Sequence, residues 1–172
     1  MYSQTLMEVC DMANNKIKHL NLYITPFLEE KHSDMVSKLT EECFKYFYIS
    51  MYHYGLLLLD SQSGKLLSYM MFDIKITSTQ ELFLALEFGC TSSEHRKKGF
   101  STYLRMCLFY YAVIMDFAYI ASNTNENSLS LLKRYGFKGE VDNSLELFNY
   151  EYTTYVKTDN KIFREKIYQF FF

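Results

Sequence analysis

The residues best suited to chemistry lie in the stretch EHRKKGFSTYL, residues 94–104, where Arg96, Lys97 and Lys98 precede a single glycine, Gly99, and an apolar helical pattern starts at once. A strand that ends, a loop with a glycine and a helix that begins together leave backbone N–H groups unpaired and aimed outward. Glycine lets the main chain approach a ligand closely, and the positive end of the helix dipole adds about 0.3 to 2 kcal/mol for a negative group. The arrangement suits an anion; the plain alternative is a solvated turn whose charges precede an apolar helix. A second stretch, NENSLSLLKRYGF at 125–137, opens a short helix with Asn125 and carries Ser128 in its first turn. Capping alone is a sufficient reason for an asparagine there. Glu87 stands on the strand that leads into the basic loop, where a carboxylate can take a proton from a reacting group. A strand glutamate is otherwise commonly paired with a cross-strand cation. Glu81 and Asp73 are alternatives for the same task, and His95 fits a loop position better than a catalytic one.

These residues need elements to hold them, and hydrophobic periodicity supplies an order. Residues 17–24 alternate as a first strand; Thr25 then caps and Pro26 opens a helix with Glu29 and Glu30 in its first turns, and a break in the pattern before Met51 suggests two helices. The continuous apolar run YGLLLLD at 54–60, the turn SQSG and the run 65–76 make a hairpin, and 82–91 adds a third strand. Phe100, Leu104, Cys107, Leu108, Tyr111, Ala112 and Met115 have the spacing of an amphipathic helix. The strand at 117–122 is too far along to form a hairpin with its predecessor, so strand, helix and strand make a parallel crossover. A short helix ending at Gly136 and a closing antiparallel pair at 137–141 and 145–156 complete the order β-α-β-β-β-α-β-α-β-β. The tail KIFREKIYQFFF is read as an added strand or helix packed on the domain.

The chain has 172 residues, 49% hydrophobic and 22% charged, the length and composition of one globular domain with a sizeable core. A net charge of −2 and a pI near 6.1 argue against a broad basic face for nucleic acid. No apolar run reaches membrane-spanning length and no signal-like segment opens the chain, so the expectation is a soluble, cytoplasmic protein without membrane or nucleic-acid partners. Cys10, Cys43, Cys90 and Cys107 show no zinc-like spacing, and we read them as reduced core thiols, with no metal site.

The loop Arg96-Lys97-Lys98-Gly99-Phe100-Ser101 resembles the Arg/Gln-x-x-Gly-x-Gly/Ala signature of the GCN5-related N-acetyltransferases (GNAT), at the position where that family places it, between the fourth strand and the third helix. Residues 125–137 resemble the family's second motif, Asn-x-x-Ala-x-x-Leu-Tyr-x-x-x-Gly-Phe. Two motifs at this separation are more specific than either alone, and the resemblance covers roughly 17–156. It implies a single domain over 1–172, with a core at about 17–156 and a C-terminal extension at 157–172. The implied fold is α/β (α+β): a mixed, mostly antiparallel sheet of six to seven strands, with helices on both faces and a central β-α-β crossover. It further implies acetyl-CoA as the cofactor and transfer of its acetyl group by direct attack of a primary amine, from a small molecule or a protein. The amides of Lys97, Lys98, Gly99, Phe100 and Ser101 would hold the diphosphate, with Arg96 orienting the loop or a phosphate. Backbone groups of Gly89, Cys90 and Thr91 would meet the pantetheine arm, with Asn125 and Ser128 on the same cofactor. Glu87 is the expected base. Leu132 stands where the family's usual tyrosine acid would be, and Tyr135 falls on another helix face, so a CoA-binding module without turnover is the alternative. The acceptor groove is expected along 27–50 and 140–152, with Glu41, Glu42, Glu140 and Asp142 as candidate contacts to a cationic amine, in a monomer or homodimer.

Overall fold

A computed structural model describes residues 2–44, 54–149 and 152–172. Among these residues the sheet has seven strands in the order β1-β2-β3-β4-β5-β7-β6, formed by β1 (Leu22–Pro26), β2 (Tyr54–Asp60), β3 (Leu66–Ile76), β4 (Leu82–Thr91), β5 (Tyr119–Ser122), β6 (Lys138–Gly139) and β7 (Thr154–Lys157). Among the described residues five helices accompany it: α1 (Gln4–Ile17), α2 (Glu29–Cys43), α3 (Phe100–Ile114), α4 (Glu126–Lys133) and α5 (Lys161–Phe171). The pairs β1–β2, β2–β3, β5–β7 and β6–β7 run antiparallel, and β4–β5 runs parallel, with Phe83 opposite Tyr119 and Leu86 opposite Ser122. The expected crossover is therefore present, and the sheet is mixed and mostly antiparallel. No helix among the described residues is long and apolar enough to cross a membrane.

By backbone contacts the chain divides into two compact units: Met1–Phe72 with Phe88–Leu108, and Asp73–Glu87 with Phe109–Phe172. The first unit is built on β1, β2 and the start of β3. Its core joins Phe27, Val36 and Leu39, from the entry to α2 and α2 itself, to Leu57, Leu66, Tyr69, Met71 and Cys90 of the strands. Burial of such side chains contributes about 1.5 to 3 kcal/mol each. Ser3 caps α1 by accepting from the Leu6 N–H at 3.2 Å. One turn from the other end of that helix, the Asn14 amide pairs with both backbone groups of Ile24, donating to its carbonyl at 2.9 Å and accepting from its N–H at 2.7 Å. The N-cap of α2, Leu28, has no side chain that can cap; instead His32 Nδ1 accepts from the Leu28 N–H at 2.9 Å, and burial lowers the His32 pKa, which keeps that nitrogen an acceptor. Inside the core Thr40 donates to the Val36 carbonyl at 2.7 Å, so the Tyr69 hydroxyl donates to Thr40 at 2.5 Å.

The second unit has an aromatic core. Phe83 and Ala85 of β4 and Ala121 of β5 are covered by Phe148 and Tyr152, with Phe83 and Phe148 rings 4.9 Å apart and edge-on. The C-terminal segment is a helix, α5, capped by Asn160, which accepts from the Phe163 N–H at 3.0 Å. Phe163, Ile167 and Phe171 recur at every fourth position and are buried, and the Phe163 ring lies 5.1 Å from that of Phe109.

Several expectations are corrected. Residues 17–24 are not one strand: Ile17 closes α1, whose buried positions Leu6, Val9, Cys10, Ala13 and Ile17 have helical spacing, and β1 begins only at Leu22. Pro26 opens no helix; it ends β1 opposite Leu56, and α2 starts at Glu29. The closing strand over 145–156 is reduced to β7, because a 3-10 turn at Glu146–Phe148 and a left-handed Asn149 (φ 51°) interrupt the alternation. Cys43 and Cys90 are not reduced thiols but a disulfide, with Cα atoms 6.4 Å apart, whereas Cys10 and Cys107 are buried and free. The expected break before Met51, residues 45–50 of the expected groove, and Tyr150 and Glu151 lie outside the described residues.

Candidate functional site

In the first unit the site begins where β4 stops. The Ser92 N–H donates to the Leu67 carbonyl at 2.9 Å, the chain makes a 3-10 turn at Ser93–His95, and α3 starts at Phe100. This short connection is anchored at three points. Arg96 Nε donates to the Thr91 carbonyl at 3.2 Å, which ties the loop back to the strand it left. Glu42 Oε1 accepts from the Ser93 hydroxyl at 2.5 Å and from its N–H at 2.9 Å, and these bonds hold the Glu42 carboxyl below the usual carboxylate range. The Cys43–Cys90 disulfide joins the end of α2 to β4 just before the loop. Glu42, one of the candidate acceptor contacts, is thus engaged by the loop.

Between those anchors the backbone alternates in hand: Lys97 has φ +65° and Gly99 φ +76°. Successive amides in such alternation face the same side and form a concave anion nest. Among the described residues, the N–H groups of Lys97, Lys98, Gly99, Phe100 and Ser101 meet no acceptor; the first turn of α3 closes only with the Thr102 N–H on the Gly99 carbonyl at 3.1 Å. A Cβ added at Gly99 would meet nothing within 4 Å, so glycine is needed there for its φ alone. Lys97 and Lys98 are exposed beside these amides. Five free donors, two ammonium groups and a helix start fit a diphosphate, which needs several N–H contacts and positive potential together. The Ser101 hydroxyl accepts from Arg105 at 3.2 Å and keeps its own proton to donate. The His95 ring tilts against Phe100 at 5.7 Å, where it packs the loop. At Gly89 an added Cβ would come within 2.6 Å of Met70, so the strand is close-packed there, and the Cys90 carbonyl accepts from Ser68 at 3.1 Å.

In the second unit Glu87 has partners. Tyr152 donates its hydroxyl to Glu87 Oε1 at 2.7 Å, and Lys75 Nζ stands 3.1 Å from the same oxygen. The side chains of Glu87 and Lys75 are 13% and 22% exposed, enough to set the pair apart from a solvated surface bridge. Lys75 also lies 5.6 Å from the centre of the Tyr152 ring. The cross-strand cation is Lys75; Tyr152, 65 residues away in sequence, carries no signal that sequence reasoning could have used. Glu81 is engaged by Thr79 at 2.9 Å and Asp73 by the neighbouring Ile74 N–H at 2.8 Å. Asn125 caps α4, its Oδ1 accepting from the Ser128 N–H at 2.9 Å, and among the described residues its Nδ2 meets no acceptor. Leu132 is 1% exposed and belongs to the core, and the Tyr135 ring packs edge-on against Phe109 at 5.7 Å. Glu140 accepts from Asn143 at 3.5 Å, while Glu41 and Asp142 are exposed. Among the described residues no cluster of histidine, cysteine or carboxylate side chains could hold a metal ion.

No protein-family model and no curated protein matches the sequence. Solved structures do match in fold. A chain of the NatC complex bound to Gag peptide and CoA superposes with a TM-score of 0.65 at 13% identity, covering 80% of this chain and 98% of that one. NAA60 of Arabidopsis thaliana, in complex with a bisubstrate analogue, gives 0.60 at 11% identity over 79% of this chain and 95% of its own. A fungal multi-domain GH3 β-N-acetylglucosaminidase with a GCN5-related glucosamine N-acetyltransferase region gives 0.58 at 13% identity; 71% of this chain is covered, and only 17% of that much longer one. With a mixed seven-stranded sheet, a parallel β4–β5 pair and a nest of free amides leading into α3, the chain has the fold of the GCN5-related N-acetyltransferase superfamily.

Proposed function

We propose that this chain is an acetyl-CoA-dependent N-acetyltransferase that acts on the primary amine of a small molecule or a protein, working as one domain over 1–172. The observation that carries the reading is the run of free N–H groups from Lys97 to Ser101 around a left-handed Gly99, in a fold whose solved relatives hold CoA or bisubstrate analogues. In this reading those amides and the exposed Lys97 and Lys98 bind the diphosphate. Arg96 acts on the loop rather than on the ligand, since its Nε is engaged by Thr91. Backbone groups of Gly89, Cys90 and Thr91 and the free Nδ2 of Asn125 bind the pantetheine arm, with Ser128 beside it on α4. When bound, acetyl-CoA supplies the thioester carbonyl that the amine attacks. A lysine-type amine is neutral in only about one part in a thousand at pH 7, so it needs a proton acceptor, and Glu87 is that group.

The test is titration with CoA followed by thiol release from acetyl-CoA in the presence of a panel of amines and free-amine peptides. Binding with turnover on any acceptor supports the reading; absence of CoA binding by folded protein ends it. A second reading, a CoA-binding module without turnover, is favoured by Leu132, which is sealed in the core where the family's usual acid would stand. It predicts stabilisation by CoA, of RT ln(1 + [L]/Kd), with no thiol released.

A further inference from the structure

We propose that Lys75 and Tyr152 are positioning residues for Glu87: together they occupy Oε1 and leave Oε2 as the oxygen that takes the acceptor's proton, while the charge on Lys75 disfavours the protonated acceptor. The inference rests on the acetyl-transfer reading above and extends it to two residues that no motif marks. A carboxylate has about four lone-pair sites on its two oxygens. Both donors to Glu87 converge on Oε1, at 2.7 and 3.1 Å, and among the described residues none reaches Oε2. The direction of the Tyr152 hydroxyl is fixed by its ring, which is 2% exposed and set edge-on to Phe83 at 5.7 Å and to Phe148 at 6.0 Å. Lys75 approaches the same oxygen while lying over that ring. Among the described residues the carboxylate is thus held at Oε1, with Oε2 free of donors.

An acceptor ammonium that reached Oε2 would share the carboxylate with the Lys75 cation. A like charge at such range disfavours the protonated amine, which is the direction attack requires. The acceptor nitrogen then gives its proton to Oε2 and forms the C–N bond with the freed pair. The C–S bond breaks with its pair on sulfur, the nitrogen loses its second proton to that thiolate through solvent, and Oε2 returns its own proton to solvent.

One readout is independent of turnover: the 13C signal of the Glu87 carboxylate, followed while n-butylammonium or N-butylacetamide is added at pH 7. The signal should move with the ammonium and stay with the amide; no movement, or equal movement with both, overturns the proposal. Kinetics with acetyl-CoA and n-butylamine supply the second readout. Lys75→Met should bind the ammonium more tightly and yet turn over more slowly, with Lys75→Arg restoring both, whereas a purely structural lysine would weaken both together. Tyr152→Phe, which keeps the ring and its packing, should lower kcat about threefold to tenfold at unchanged KM for acetyl-CoA. A Tyr152→Phe enzyme with unaltered kcat overturns its role. If wild type turns over no amine but the carboxylate signal still responds to the ammonium alone, acetyl transfer fails while the assignment of Oε2 as the ammonium-binding oxygen stands.

Discussion

Replacing Gly99 by alanine isolates the backbone's part in cofactor binding. An alanine Cβ would meet no atom within 4 Å, so the substitution introduces no clash. What it introduces is an L-residue at φ +76°, two positions after Lys97 at +65°. A non-glycine residue in the left-handed region costs about 1 to 2 kcal/mol. If the loop holds its shape, folded stability falls by that amount. If the loop relaxes to a negative φ, the alternation of hand is lost, the amides no longer face one side, and CoA binding weakens by up to the same free energy, about 5- to 30-fold. Melting curves and calorimetric titrations with CoA and with pantetheine, which lacks the diphosphate, separate the two. The two losses should together account for 1 to 2 kcal/mol, and pantetheine affinity should not change. Unaltered melting together with unaltered CoA affinity refutes the argument, as does an equal loss for pantetheine.

Asn125→Asp retains the oxygen that caps α4 but removes the amide nitrogen, so melting should be kept and CoA affinity should fall; Asn125→Ala should lose about 1 kcal/mol of stability as well. Cys43→Ser opens the loop closed by a disulfide of sequence separation 47, for which chain entropy gives about 4 kcal/mol; denaturant unfolding should show a loss of that order, and reducing wild type should match it. Burial pushes the Tyr2 and Tyr69 hydroxyls up to about 12 from an ordinary 10. Their contribution is therefore complete below pH 10 and is lost as pH rises from 10 through 12, because the unfolded chain releases those protons first. Melting temperature against pH should fall across that window, and a flat profile would contradict the burial of these two hydroxyls.

Legibility from sequence followed the strength of local pattern. The runs at 54–60 and 82–91 match β2 and β4 residue for residue, because short stretches dense in apolar residues have little else to be. Helix α1 escaped because Ile17 served two patterns, the last buried turn of a helix and the first of an alternation, and Asn14 hid its purpose until Ile24 was beside it. In 145–156 the aromatic alternation was real, but Asn149 in a left-handed conformation overrode it. The tail's three terminal phenylalanines obscured the four-residue spacing of Phe163, Ile167 and Phe171. Of the site, the loop could be read because glycine, cations and the helix start are contiguous. The Glu87 cluster could not, since Lys75, Glu87 and Tyr152 meet only through pairing across the sheet and a chain return of 65 residues. The disulfide was hidden in the same way, its two cysteines being 47 residues apart with no spacing rule to join them.

The amide of Asn14 bears on what the edge strand β1 offers to a passing peptide. A sheet's outermost strand ordinarily offers a ladder of vacant donors and acceptors to any extended peptide that drifts past. In β1 the outward-facing groups of Ile24 are already taken by Asn14, and two residues on Pro26 has no hydrogen to give. At the opposite rim β6 is only two residues long. Among the described residues, β1 thus offers a foreign strand a shortened ladder by mimicry of a neighbouring backbone, and β6 offers little by brevity.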